Sequence, residues 1–456
     1  MSNLAQLRLA AREIFEEALR AVDAGTALRQ SVRLEGFRLI IGELSFDIRE
    51  RSVYSIAIGK AALPMAVALE AVVGEKLAAG VIAGPALPQG QTQTARKLSD
   101  RWQRFEGGHP LPNEASLLAA HGAFDLLERA HKENGLIVFL VSGGGSAMIE
   151  SPISDDITLE DLQNANRILI NSGASIAEIN SVRRIFSAIK GGRLTDRAPN
   201  CDQITLIVSD VPAGEERYVA SGPSLPPEAE APSAVEVVDR FNLRPHLPAA
   251  VIRAIDEPKP VAAQEPGQQQ YVVLRDNGDA IEAAASAARR RGYAVEIARD
   301  ISDQPIGDGC QDLLKCLGTT HATAGEMNPA GVCVISGGEF ACPVRGDGMG
   351  GRNLETALRI ACSANLSPPG LDHFVALCAG TDGIDGNSPA AGAIVDNTTI
   401  ERATKIGLNP QDFLDRSDSY SFFVALGDVI ATGPTGTNVR DLRILLRGTE
   451  RKQSRA

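Results

Sequence analysis

At 456 residues the chain is long enough for two or three domains, and its 44% apolar content rules out a disordered polymer. Its 44 glycines exceed the usual ~7% share, yet they keep no period of three, which excludes a collagen-like helix. The 45 Lys and Arg against 57 Asp and Glu leave a net charge of −12, which argues against nucleic acid or an anionic membrane surface as a partner.

Residues 4–22 place Leu4, Leu7, Ala11, Ile14, Phe15, Ala18, Leu19 and Val22 at helical spacing, predicting an amphipathic helix rather than a signal peptide. Short apolar runs then alternate with helical stretches. Strands are predicted at Val53–Ile58, Leu136–Val141, Ile204–Val208, Tyr271–Leu274, Val332–Ile335, Phe374–Cys378 and Phe422–Val424. That alternation implies βαβ units, mostly parallel sheets and an α/β class. No apolar stretch reaches the ~20 residues a membrane span needs. Between Leu225 and Gln270 prolines gather (Pro226, Pro227, Pro258, Pro260, Pro266), marking a junction between two α/β domains with a short helical passage near 233–255. A boundary at 240/241 divides the chain into 1–240 and 241–456, with a last helix that could pack back on the first domain. Arg289–Arg291 reads as the charged end of an Ala-rich helix. Seven scattered cysteines without a CxxC read as reduced thiols of a cytoplasmic chain.

In doubly wound sheets, ligands bind beyond the carboxyl ends of strands, so the turns there carry the candidates. Ser142-Gly143-Gly144-Gly145-Ser146 follows a strand; its backbone N–H groups could approach an anion, with Ser146 capping the next helix, or it is a flexible turn. Lys60 directly follows the first strand, either over the sheet edge where a phosphate would sit or as a solvated lysine. Arg183, Arg184, Lys190 and Arg193 group four cations, read as a solvated helix face or, given Gly191-Gly192, as a closely approached helix end.

Further on, Ser336–Glu339 follows a strand, and Gly346, Gly348 and Gly351 satisfy GxGxxG. A dinucleotide site would want an acid at the end of the next strand, and Asp372 precedes that strand instead. A phosphate clamp with Arg352 at a helix start fits better. Asp382 and Asp385, three apart among glycines, suit Mg²⁺ or a pair of Asx turns. Asp210 presents another acid after a strand, and Thr432–Asn438 offers hydroxyls beside a last helix. Glycine loops, cations and aspartates in this arrangement point to phosphoryl transfer. A serine hydrolase is a poor fit, because Met148 stands where GxSxG needs its second glycine.

Ten motifs spread over nearly the whole chain resemble the glycerate 2-kinase family, whose two parts are called DUF4147 and MOFRL. They are Gly59-Lys60-Ala61-Ala62, Gly107-Gly108-His109-Pro110, Ser142–Ser146, Ile189–Arg193, Ser209–Pro212, Ser221–Pro223, Ser336–Glu339, Gly350–Glu355, Gly380–Gly386 and Gly433–Asn438. The resemblance implies an N-terminal Rossmann-like doubly wound domain and a C-terminal MOFRL-type α/β domain with a cleft between them. It implies ATP- and Mg²⁺-dependent phosphorylation of D-glycerate, or a related sugar acid, to the 2-phosphate. Lys60 and Arg352 match the family's functional pair. With that chemistry, Asp210 is expected to orient or deprotonate the acceptor hydroxyl, and Asp382 or Asp385 to lie near the metal. Ser142, Gly143, Gly144, Gly145, Ser146, Lys190, Glu339, Gly350, Gly351, Asn353, Thr435, Thr437 and Asn438 are expected around nucleotide and substrate. The chain departs from the family at Ala213-Gly214-Glu215, at Ile185 where a histidine is usual, and at Asn387-Ser388. An NAD(P)H-dependent hydroxypyruvate reductase and a non-catalytic anion-binding relative stay open as alternatives, as does a homodimer.

Overall fold

The computed structural model describes residues 3–86, 98–227, 232–258, 270–324, 330–366 and 373–448. The chain forms two compact units, Ala24–Arg275 and Met1–Asp23 with Asp276–Ala456.

In the Ala24–Arg275 unit a small antiparallel sheet comes first, from β1 (Val32–Glu35), β2 (Arg38–Ile41) and β3 (Leu44–Asp47). The main sheet holds β4 (Val53–Ile58), β5 (Leu77–Gly84), β6 (Trp102–Glu106), β7 (Leu136–Ser142), β8 (Gln203–Val208) and β9 (Gln270–Arg275). Its spatial order is β6-β5-β4-β7-β8-β9, and every pair is parallel. The chain builds outward from β4 through β5 and β6, then restarts on the other side of β4 with β7. Every residue of β4, β7 and β8 is buried, as strands covered by helices on both faces must be. On one face Tyr54, Ile56, Phe139 and Val141 pack with Ala119, Ala123 and Leu127 of the helix Glu114–Lys132. A satellite cluster of Leu162, Leu169, Val182, Phe186, Val238 and Val251 joins the helices Leu159–Ile170, Ile176–Phe186, Ala234–Arg240 and Ala249–Asp256.

The other unit has a sheet of β10 (Tyr293–Ile297), β11 (Gly331–Ser336), β12 (Phe374–Gly380), β13 (Gly392–Asp396), β14 (Val429–Ile430) and β15 (Asp441–Arg447). Its order is β10-β11-β15-β12-β13-β14. The N-terminal helix Asn3–Ala21 buries Leu7, Ala11, Ile14, Phe15 and Ala18 in a cluster with Ala284, Ala288, Val375 and Leu446. Arg8 pairs with Asp396 and Asp428, and Arg290 and Arg291 pair with Glu17, which holds that helix to the sheet and to the helix Asn277–Arg290.

Four expectations change. The division falls at 275/276 rather than 240/241, because β9 completes the first parallel sheet against β8 and the N-terminal helix belongs with the second sheet. Mostly parallel pairing holds for the first sheet, whereas in the second, among the described residues, only β10 and β11 run parallel. Among the described residues no helix follows Thr432–Asn438; β15 does, inserted antiparallel between β11 and β12. Phe422–Val424 lies within the helix Ser419–Leu426, whose buried Ser419, Phe422 and Phe423 share one face at helical spacing. Pro260, Pro266 and Asp372 lie outside the described residues. Among the described residues no helix is long and apolar enough to cross a membrane.

Candidate active site

The point where strand order reverses in an open parallel sheet leaves a crevice beyond the carboxyl ends of the two strands that flank it. Here those strands are β4 and β7, and the residues just past them are Gly59-Lys60 and Ser142–Ser146. Ser142 Oγ donates to Ile58 O at 3.1 Å and accepts from Ala61 N at 3.0 Å, while Lys60 N donates to Gly143 O at 3.0 Å. The two turns are therefore tied together. Gly144 stands at φ 77°, a left-handed conformation that favours glycine. A Cβ on it would lie 3.1 Å from Lys60 Cε and 3.3 Å from His109 Cδ2, so half-buried Lys60 and exposed His109 flank this loop. Asp210, half-buried, follows β8, the next strand of the sheet.

Beneath the loop lies a buried polar cluster. Lys190, 1% exposed, forms an ion pair with Glu150 and donates to Ser146 O at 2.8 Å. Glu150 also accepts from Ser187 Oγ at 2.5 Å and Ser151 N at 3.0 Å. Ser221 Oγ donates to Asn180 Oδ1 at 2.8 Å, which leaves Ser146 Oγ as donor to Ser221 Oγ at 2.8 Å. The turn Ala220-Ser221-Gly222 is left-handed at three successive residues, with φ of 52°, 63° and 63°. Strain of that kind persists only where the surroundings over-determine it, and it concentrates at functional sites. Burial pulls the Arg183 guanidinium down to about 10, with the charge of Glu150 opposing. Lys190 is also lowered by burial, against the pull of Glu150.

The Asp276–Ala456 unit builds a second polar cluster where the helix Arg352–Leu366 begins. Arg352 pairs with Asp441 at 2.6 Å and Glu339 at 2.8 Å. Burial lowers its pKa and the two carboxylates raise it, the net shift being upward. Asn353 Nδ2 donates to Asp441 Oδ1 at 2.8 Å, and Asp303 forms an ion pair with Arg440. Asp385 caps the helix: Oδ1 accepts from Asn353 N at 3.1 Å and Oδ2 from Leu354 N at 2.8 Å. Gly351 leaves room for this cap, since a Cβ there would fall 2.5 Å from Asp385 Cγ. Burial raises Asp385 to about 7, with the backbone N–H groups acting the other way.

Residues 10–256 match the family described as Domain of unknown function (DUF4147), and residues 332–441 match the MOFRL family. The D-glycerate 2-kinase of Thermotoga maritima is 32% identical over 96% of this chain and 98% of its own. The crystal structure of glycerate kinase from that organism superimposes with a TM-score of 0.78, covering 97% of this chain and 100% of its own at 29% identity. A protein of Agrobacterium vitis, 32% identical over 96% of this chain and 94% of its own, carries a hydroxypyruvate reductase name. The chain belongs to the glycerate 2-kinase family.

Against the residues that the family resemblance singled out, the geometry sorts three groups. Lys60 and Ser142–Ser146 come together at the switch point. Arg352, Asn353 and Glu339 come together with Asp441. Others are structural in their contacts: Lys190 is held by Glu150, and Thr437 is buried and donates to Val22 O at 2.9 Å. Thr435 donates to Thr381 O at 2.6 Å, and Asn438 Oδ1 accepts from Arg440 N at 3.3 Å. The solvated-face reading of the 183–193 cations is overturned, because Arg183 and Lys190 are buried. Ser146 does not cap a long helix; Gly144 occupies the N-cap of the four-residue turn Gly145–Met148. At 346–353 three of the loop's backbone N–H groups are taken up within the protein. Gly348 N, Met349 N and Gly350 N bond to Arg416 O, Asp418 and Asn387, and Asp385 fills the helix start. These bonds equally occupy the N–H groups that a dinucleotide pyrophosphate would need. Of the departures, Ile185 packs against the satellite cluster, and Gly214 lies exposed with its N–H bonded to Glu216 at 2.8 Å. Glu150, Asn180, Asp303, Arg440 and Asp441 carry no local motif and emerge only in three dimensions.

Among the described residues no three His, Cys, Asp or Glu side chains group as a metal site. Mg²⁺ in kinases takes one or two carboxylates, with water and phosphate oxygens completing its shell. Asp385 does not fit that role, since both its oxygens are used and the group is buried. Half-buried Asp382, whose Oδ1 accepts from Ile384 N at 3.1 Å, fits as a single carboxylate ligand.

Proposed function

We propose that this chain is an ATP-dependent glycerate 2-kinase that converts D-glycerate to 2-phosphoglycerate and ADP. The observation that carries this reading is the pairing of Lys60 with the Ser142–Ser146 loop at the switch point of a sheet ordered β6-β5-β4-β7-β8-β9. Phosphoryl transfer asks mainly for positioning and for neutralisation of charge on the phosphate oxygens. Lys60 supplies a cation at the loop, and Arg352, which the family resemblance pairs with it, is held in one orientation by Asp441 and Glu339. Asp210 accepts the proton of the acceptor's 2-hydroxyl as that oxygen bonds to the γ-phosphorus, and the bond to the bridging oxygen breaks to release ADP. Asp382 would hold Mg²⁺, which when bound shields the charge of the nucleotide's phosphates. A cytoplasmic setting suits seven free thiols and an ATP requirement, and a net charge of −12 disfavours polyanionic partners.

ADP release measured with D-glycerate, L-glycerate and hydroxypyruvate, beside NADH oxidation, separates the kinase from a reductase and from a non-catalytic binder. ADP formation on D-glycerate without NADH consumption is expected. Lys60→Ala should lower kcat about 100-fold or more with the thermal midpoint nearly unchanged. Near-normal turnover would remove Lys60 from the mechanism.

A further inference from the structure

The cluster under the Ser142–Ser146 loop carries an imbalance of charge. Arg183 is 7% exposed and Lys190 1%, while Glu150, the one buried carboxylate of the cluster among the described residues, is 0% exposed. Lys190, Ser187 and Ser151 already take up Glu150. Among the described residues the buried Nε of Arg183 is without a partner, and the group feels Glu150 only through its charge. One turn earlier on the helix Ile176–Phe186 stands Asn180, 4% exposed, whose Nδ2 is likewise buried and unpartnered. Its Oδ1 is bound through Ser221 to Ser146, at the loop itself. A buried cation and a buried amide donor are each costly to leave unsatisfied, and natural structures leave few such groups. Here two of them lie on the same helix, three residues apart, where side chains are neighbours.

The geometry points to Asn180 and Arg183 as the seat of the acceptor's carboxylate. A planar carboxylate accepts from the amide and from the guanidinium fork together, and its charge restores the balance of two buried cations with two anions. This assignment rests on the glycerate kinase reading for the identity of the acid. Neither residue transfers the phosphoryl group. Their role is to hold the acid so that its 2-hydroxyl faces the chemistry, and to reject neutral polyols.

The test uses the full chain and the variants Arg183→Met, Arg183→Lys and Asn180→Asp. Arg183→Met should raise KM for D-glycerate roughly 100-fold or more and leave KM for ATP within about twofold. Its ligand-free melting temperature should equal or exceed the parent's, because an uncompensated buried charge is gone; a purely structural arginine would lower it. Arg183→Lys keeps the charge without the fork and should fall between the two. Asn180→Asp brings the missing anion itself, so it should melt higher than the parent and lose the upward shift that D-glycerate gives the parent without ATP. An unchanged KM for glycerate, a rise confined to KM for ATP, or stabilisation by inorganic phosphate but by no carboxylate would overturn the assignment. If the parent forms no ADP from D-glycerate yet is stabilised by D-lactate, and Arg183→Met loses that effect, the kinase reading fails and the carboxylate seat stands.

Discussion

Glu150 is the residue whose loss the charge imbalance makes most costly. Its side chain and that of Lys190 are each 1% exposed. Glu150→Gln keeps the shape but leaves Lys190 and Arg183 buried with no anion. Breaking a buried pair from one side costs about 3–5 kcal/mol, a large share of the roughly 5–15 kcal/mol that holds a domain folded. Lys190→Met should cost less, about 1–3 kcal/mol, because Arg183 remains to offset Glu150. The asymmetry is the signature of an excess cation. Urea unfolding followed by tryptophan fluorescence measures it in the right unit, since the chain's one tryptophan is Trp102 in β6, its Nε1 donating to Glu70 at 3.1 Å. With slopes of about 1–3 kcal/mol/M, Glu150→Gln should lower the midpoint by about 1 M or more without changing the slope. Equal costs for the two variants, or a loss below about 1 kcal/mol for Glu150→Gln, would refute the charge argument.

Gly144→Ala puts a Cβ against Lys60 and His109 at a left-handed residue, so kcat should fall about tenfold while stability falls by only about 1–2 kcal/mol; unchanged kcat would separate the loop from catalysis. Asp385→Asn turns an amide donor toward a backbone N–H and should lower stability by about 1–3 kcal/mol. Asp382→Asn should leave stability alone and raise the Mg²⁺ concentration for half-maximal rate; titrations of both variants check the division of roles. Cys201, Cys310, Cys333 and Cys378 are buried, and burial raises Cys310 to about 12. A thiol reagent near pH 8 should label these four only after unfolding, and rapid native labelling at Cys333 or Cys378 would contradict their burial.

The first sheet was legible because a parallel strand covered on both faces is an uninterrupted apolar run, as in Val53–Ile58 and Leu136–Val141. The second was less so. β15 reads Asp-Leu-Arg-Ile-Leu-Leu-Arg, and its charges suggest an exposed segment, yet Asp441 and Arg443 are buried because Arg352, Asn353 and Ser336 meet them. Those partners lie roughly 90 to 110 residues earlier in the chain, so nothing near them in sequence announces the pairing. The glycine turns at 59–60 and 142–146 were readable as strand ends, and the structure ties the two together where the strand order reverses.

The cations at 183–193 show what sequence spacing carries when it is used fully. Counting charges alone suggests a solvated face. Yet Ile179, Val182, Arg183 and Phe186 fall at i, i+3, i+4 and i+7, the stripe a helix turns toward its core, and all four are buried. The stripe identifies Arg183 as a charge that folding takes out of water. Lys190 lies beyond the helix, and its burial depends on Glu150, which no spacing rule reaches. Within the helix, then, an arginine on the apolar stripe is a question about its counter-ion. Since Glu150 is already shared with Lys190, Ser187 and Ser151, the proposed carboxylate seat is what would give Arg183 a counter-ion of its own.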